Sequence, residues 1–241
     1  MDRIVLITGG GTGIGYAVAA RFATEGATVY ITGRRKEILD KRAADLGDGV
    51  RTLPCDNTDP DQLIAAAAEL PDHIDVLVNN AGGNTDFDAP SENGLHAVAS
   101  RWSTNLNANL LSAVLTTHAV GDRLTSGGSV IHIGSIAADQ GAGSYGAAKA
   151  GLASWNIDLA QEFGPREITC NVVAPGYIRD TEFFRDKLTA ERVDFLIDRT
   201  FTGRAGVPTD IAETVYFLAS SGARHITGQV INVNGGAHTV R

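Results

Sequence analysis

Cysteine is nearly absent. The 241 residues hold two, Cys55 and Cys170. Their spacing fits no metal motif, and two thiols build no disulfide framework, so a reduced, cytoplasmic setting is expected. No His/Cys/Asp cluster offers a metal site either. Basic residues are the minority charge, 20 Lys and Arg against 28 Asp and Glu, for a net charge of −8. That balance argues against nucleic acid or an anionic membrane as partner. No apolar run approaches the roughly 18 residues of a membrane span. Ile4-Val5-Leu6-Ile7 begins strand-like with no basic segment and longer apolar run around it, so no signal peptide is expected. Pro/Ser linkers, repeats and low-complexity tracts are missing as well, which leaves no boundary at which to divide the chain. What remains is a chain 43% hydrophobic and long enough to bury a full core.

Short branched apolar runs alternate with Ala-rich helical stretches. Strands are expected at 4–7, 27–32, 50–53, 74–78, 130–133, 169–173 and 230–233. Helices are expected at 16–24, 61–70, 95–124, 145–163 and 209–219, with a charged and helical excursion at 181–199 and a loop at 84–94. Strictly alternating elements imply an α/β fold, a parallel sheet with helices on both faces.

The first strand runs into Thr8-Gly9-Gly10-Gly11-Thr12-Gly13-Ile14-Gly15 and then into a helix. Strand, glycine turn and helix bring a pyrophosphate against free N–H groups at a helix N-terminus. Gly9, Gly11, Thr12, Gly13, Ile14 and Gly15 are therefore candidate cofactor contacts. No Gly-Lys-Ser/Thr follows, which excludes a Walker phosphate loop. The second strand ends at Gly33-Arg34-Arg35, where an acid would bond a ribose 2′-OH and an Arg favours a 2′-phosphate. Arg34 thus points to NADP(H), with NAD(H) the alternative. Residues just past later strand ends sit where ligands bind in open α/β sheets. These are Asp56 and Asn57, Asn80 and Ala81, and Pro175, Gly176 and Ile178.

Ser144-Tyr145-Gly146-Ala147-Ala148-Lys149 joins a glycine-rich loop to a helix, placing Tyr145 and Lys149 on one face. A cation beside a phenol favours the phenolate and lowers a value otherwise near ~10. Ser135 ends the fifth strand nearby. Asn105, Asn107 and Asn109 lie within one helical stretch against propensity, so at least one has a special task.

Together, Thr8-Gly9-x-x-x-Gly13-x-Gly15, Asn79-Asn80-Ala81-Gly82, Ser135, Tyr145-x-x-x-Lys149 and Pro175-Gly176 resemble the short-chain dehydrogenase/reductase family over essentially the whole chain. The nearer likeness is to its 3-oxoacyl-acyl-carrier-protein reductase-like branch. The resemblance implies a single Rossmann-type domain over 1–241, a doubly wound sheet of about seven strands, a substrate lid at 179–203, and a homotetramer or homodimer. It implies a catalytic set of Asn109, Ser135, Tyr145 and Lys149. Asn109 is chosen by the family's Asn-Leu pattern seven residues after Trp102. Tyr145 would donate the proton, Ser135 bond the same oxygen, Lys149 hold the nicotinamide ribose and tune the phenol, and Asn109 anchor a water on the proton path. Two departures stand out. Ser135 and Tyr145 are only ten residues apart, and Asp180 fills the family's Thr position, one before Thr181. Arg166 matches one carrier-binding position of the branch, whereas Ser126 stands at the other. The expected partner is a small-molecule ketone or alcohol. A carrier-bound acyl substrate, or an inactive nucleotide-binding relative, are the alternatives.

Overall fold

The computed structural model describes residues 3–88, 94–185 and 187–240. Positions 89–93 of the expected loop and 186 of the expected excursion lie outside them. Six of the seven strands fall within a residue or two of expectation: β1 (Ile4–Thr8), β2 (Thr28–Gly33), β3 (Val50–Pro54), β4 (Ile74–Asn79), β6 (Thr169–Pro175) and β7 (Val230–Val233). The remaining one, β5 (Leu124–Ile133), begins six residues earlier. All pair in parallel, in the order β3-β2-β1-β4-β5-β6-β7.

Parallel strands need helical crossovers. These are α1 (Gly13–Thr24), α2 (Lys36–Leu46), α3 (Pro60–Ala68), α4 (Leu95–Leu106), α5 (Ser112–Val120), α6 (Ala137–Gln140), α7 (Gly143–Phe163), α8 (Ala190–Asp198) and α9 (Pro208–Leu218). Local chemistry sets several starts. Asp59 caps α3 by accepting from the N–H groups of Asp61 and Gln62, with Pro60 at the first helical position. Asp210, in the first turn of α9, accepts from the N–H of Val207, and Pro208 opens that helix.

Alternate strand residues build two cores. Val5, Ile7, Val29 and Ile131 face Val18, Phe22, Ile211 and Val215 of α1 and α9. Ile4, Leu6, Leu77 and Val130 face Leu63, Val120, Leu159 and Phe163 on the other side. β1 is buried at every position, as a strand covered on both faces must be. Its neighbours are β2 on one flank and β4 on the other, so the strand order reverses between β1 and β4. At such a reversal the connections leave in opposite directions and open a crevice at the carboxyl ends.

Three expectations are corrected. The helix expected at 95–124 is interrupted: a π turn at Asn107–Leu111 separates α4 from α5, and β5 already begins at Leu124. β5 was missed there because Gly127 and Gly128 look unlike a strand; its pairing with β4 shifts register between Ile74 and Val76. Among the described residues, the 181–199 excursion is helical only at Glu182–Phe184, as one 3-10 turn, and in α8. Helices α2 and α6 were not anticipated.

Candidate active site

The crevice floor is the glycine turn. The Gly10 N–H donates to the Thr32 carbonyl at 3.1 Å, tying the turn to β2. At Gly15 a Cβ would stand 2.3 Å from the Gly9 carbonyl oxygen, so only glycine lets α1 pass so close. No side chain caps α1, and its first bond runs from the Tyr16 N–H to the Thr12 carbonyl. The N–H groups of Gly13, Ile14 and Gly15 therefore open toward the crevice. Thr8 Oγ1 accepts from the N–H groups of Asn80 (3.0 Å) and Ala81 (2.9 Å). Asn80 Nδ2 donates to the carbonyls of Thr8 (2.9 Å) and Gly9 (3.1 Å). Asn80 and Ala81 thus shape the cradle by stitching β4 to β1. Gly11 and Thr12 lie in the turn between them and α1.

Other candidate contacts distribute unevenly. Arg34 is exposed just past β2, and no described residue pairs with it, whereas Arg35 meets Glu182 at 2.7 Å. Asp56 Oδ1 accepts from the N–H of Thr58 at 2.9 Å at the end of β3. Asn57 is buried, accepts from Thr32 Oγ1 at 2.9 Å and donates to Thr116 Oγ1 at 3.1 Å, so its side chain braces β2 against α5 and its backbone is what remains for a cofactor. Ile178 has its side chain in the α1/α9 core. The Pro175 carbonyl accepts from the Ile136 N–H, and Gly176 lies so near Asn234 that a Cβ would approach within 2.8 Å.

Ser135, Tyr145 and Lys149 come together beyond β5. Ser135 Oγ accepts from the Ala137 N–H at 3.1 Å. Tyr145 is 6% exposed. Burial pushes its phenol up to about 12, and a hydrogen bond with Ser135 pulls the other way. Lys149 Nζ donates to the Ile133 carbonyl at 2.7 Å and stands 5.8 Å from the centre of the Tyr145 ring. Burial brings Lys149 down to about 8. Loss of water is the larger influence on the phenol and the Ser135 hydrogen bond the opposing one, and Lys149 is itself desolvated. A cavity of about 240 Å³ opens beside Ser135 and Lys149, lined also by Ala138, Ala153, Val172 and Asn232 among others.

Asn109 sits in the π turn with its side chain bonded to Gly83, accepting from its N–H and donating to its carbonyl, each at 2.9 Å. Its third bond goes to the Asn105 carbonyl at 3.0 Å. As described, its amide holds the β4 exit loop in place. Sequence reasoning passed over Asn105, which donates to Ser144 Oγ (2.9 Å) and Asp86 Oδ1 (3.0 Å) at the start of α7. Its signal was the run of three asparagines. His132 was also passed over. It is fully buried against Asn79 and Trp155, with its imidazole held neutral down to about 3. Phe183 lies against the Tyr145 ring, and a cluster extends from it through Phe87 and Phe184 to Tyr177.

The chain is similar to known proteins over nearly its whole length. The family described as enoyl-(acyl carrier protein) reductase matches residues 9–238. A 3-oxoacyl-[acyl-carrier-protein] reductase of Mycobacterium avium is 35% identical over 98% of this chain and 90% of its own. A dehydrogenase/reductase from Sinorhizobium meliloti superposes with a TM-score of 0.88 at 30% identity, covering 99% of this chain and 96% of that one. A short chain dehydrogenase from Burkholderia cenocepacia, crystallised in complex with NADP, gives 0.84 at 31% identity over 98% and 97%.

Proposed function

Since this chain belongs to the short-chain dehydrogenase/reductase family, we propose that it is an NADP(H)-dependent oxidoreductase interconverting a ketone and a secondary alcohol, with Tyr145 exchanging the proton. The observation that carries this is the meeting of Ser135, Tyr145 and Lys149 at the carboxyl end of β5, on the same edge of the parallel sheet as the uncapped α1 N-terminus. The residues present fit a dinucleotide. The outward N–H groups of Gly13, Ile14 and Gly15 suit its pyrophosphate, and unpaired Arg34 suits a 2′-phosphate. When bound, the reduced nicotinamide supplies a hydride, with two electrons, to the carbonyl carbon and is left oxidised.

The chain's own groups do the rest. The C=O π bond breaks, and the Tyr145 proton forms the new O–H bond. Burial keeps that phenol protonated, the state reduction needs. Ser135 donates to the same oxygen and fixes its place. Lys149, holding Ile133 with one of its three N–H donors, has others for the ribose hydroxyls. Asn109 keeps Gly83 and the loop beside the site in position, and a water held near it would carry protons onward. Residues 179–203 would cover the substrate, and Thr181 lies against the glycine turn near Gly13.

A carrier-bound acyl substrate ranks second. It would need Arg166 for an acidic carrier, yet Arg166 already donates to the Leu124 carbonyl at 2.6 Å, and Ser126 to Glu167 at 2.5 Å.

Tyr145→Phe keeps the ring and removes the proton. NADPH binding, followed by fluorescence, should be nearly unchanged while ketone turnover falls by about 10²–10⁴. A folded variant keeping more than about a tenth of wild-type turnover takes Tyr145 out of the mechanism. In the same titration, Arg34→Asp should weaken NADPH by about one to two decades, the scale of a charged hydrogen bond. It should spare NADH, and a wild type preferring NADH would remove Arg34 from this role.

A further inference from the structure

We propose that the substrate is a neutral ketone, or the matching secondary alcohol, carrying an aromatic ring next to the reacting carbon, and that Phe183 occupies the place of that ring when no substrate is bound. The inference rests on the reading of Tyr145 as proton donor. Phe183 lies on the Tyr145 ring, centroids 5.6 Å apart at 58°. Phe87 meets Phe183 edge-on at 5.9 Å and 88°. Phe184 packs on Phe183 at 4.8 Å and on Phe87 at 5.8 Å, and Tyr177 on Phe184 at 5.7 Å. Aromatics make up only 6% of the chain, yet five of them form one connected cluster here. None of the four rings joined to Tyr145 through Phe183 belongs to either hydrophobic core. Their gathering is not needed to close the fold.

Phe183 covers the Tyr145 ring, so the ring of an aromatic ketone takes that place only when the turn Thr181–Phe184 moves. That turn is bracketed by Asp180 at φ 59° and Arg185 at φ 50°, left-handed conformations that side chains other than glycine adopt at a cost. A segment held closed against strain at both ends is poised to swing away. It would leave a ring-shaped space beside the phenol, walled by Phe87. A flat ring entering there inherits the tilted and edge-on contacts that Phe183 now makes. Each is worth roughly a factor of two to ten in affinity beyond the area buried. A saturated ring of equal size buries the area without the quadrupole match. Charges at the rim are engaged: Glu182 with Arg35, Lys187 with the Phe87 carbonyl, Arg185 over the Phe87 ring.

The test compares acetophenone with cyclohexyl methyl ketone, equal in carbon skeleton, using the full chain and NADPH. The expected kcat/KM ratio is about tenfold in favour of the aromatic ketone. Phe87→Leu should bring the ratio toward one. Phe183→Ala should lower KM for both ketones and leave the ratio standing. Tyr145-dependent turnover with no preference for the aromatic ketone overturns this inference and leaves the role of Tyr145 intact. If neither ketone turns over, calorimetric titration of the protein in NADP⁺ with both ketones decides. Binding selective for acetophenone supports the ring-shaped site and counts against Tyr145 as donor, and absence of selective binding overturns the site.

Discussion

Lys149 carries an ammonium into a place where one carbonyl at 2.7 Å replaces its water. The cost appears as a value near 8 instead of the ordinary 10.5. Its folded value lies below its unfolded one, so between about 8 and 10.5 the unfolded chain binds more protons, and stability rises with pH across that window. Tyr145 works in the opposite sense from its ordinary 10 to about 12, where the folded chain keeps the proton and stability falls. Lys149→Met removes the first effect and leaves the second. Unfolding by urea at stepped pH should show wild type gaining on Lys149→Met between about pH 8 and 10.5. A constant gap would mean that Lys149 is not desolvated. At this scale the sequence was readable where one helix fixes the geometry, as it does for Tyr145 and Lys149 four residues apart. It was unreadable where a side chain at a strand exit turns inward or outward, because the neighbouring elements decide that. Asn57 meets Thr116 of α5, and Ile178 enters the α1/α9 core; neither partner is near in sequence.

Among the elements, the α4–α5 stretch shows how much one residue alters. A π turn adds a residue to a helical turn, and such turns gather at functional sites. Here it swings Asn109 toward Gly83, where a Cβ on neighbouring Gly82 would come within 2.5 Å of the amide oxygen. Asn109→Ala leaves the N–H and carbonyl of Gly83 without their partner. The expected loss is about 1–3 kcal/mol in urea unfolding, with reduced turnover as the loop loosens. Unchanged stability would mean that water replaces the amide fully. Five consecutive residues are too few to carry a periodicity of their own, so the sequence showed one continuous helix and only the asparagines hinted otherwise. α2 was missed for a similar reason: Lys36–Leu46 buries Leu39 alone and has little apolar pattern to read. Caps and prolines made α3 and α9 plain.

For the whole molecule, strict alternation of strand and helix was enough to foretell a parallel sheet covered on both faces. The strand order came only with the paired registers. Leu95, Val98 and Trp102 share one face of α4 and are 87%, 40% and 44% exposed. Leu111 in the π turn and Ile157 on α7 are exposed as well, and Val230 lies on β7, which pairs only with β6. Surface of that kind would suit an interface between copies. Light scattering should give a dimer or tetramer of the 25.2 kDa chain, and Trp102→Lys should shift it toward the single chain; a wild type at one chain mass would refute this. The scarcity of cysteine has a use of its own. Cys55 follows β3 at one margin of the sheet, and Cys170 lies in β6, across the β1/β4 reversal. Burial lifts their thiols to about 11 and about 12, so at neutral pH neither offers the thiolate that alkylating reagents attack. Labelling then waits for the chain around each to open, and the two sulfurs act as separate clocks in one molecule. Equal rates would report a sheet that opens as a unit, and an early Cys55 would report a margin that frays while β6 stays shut.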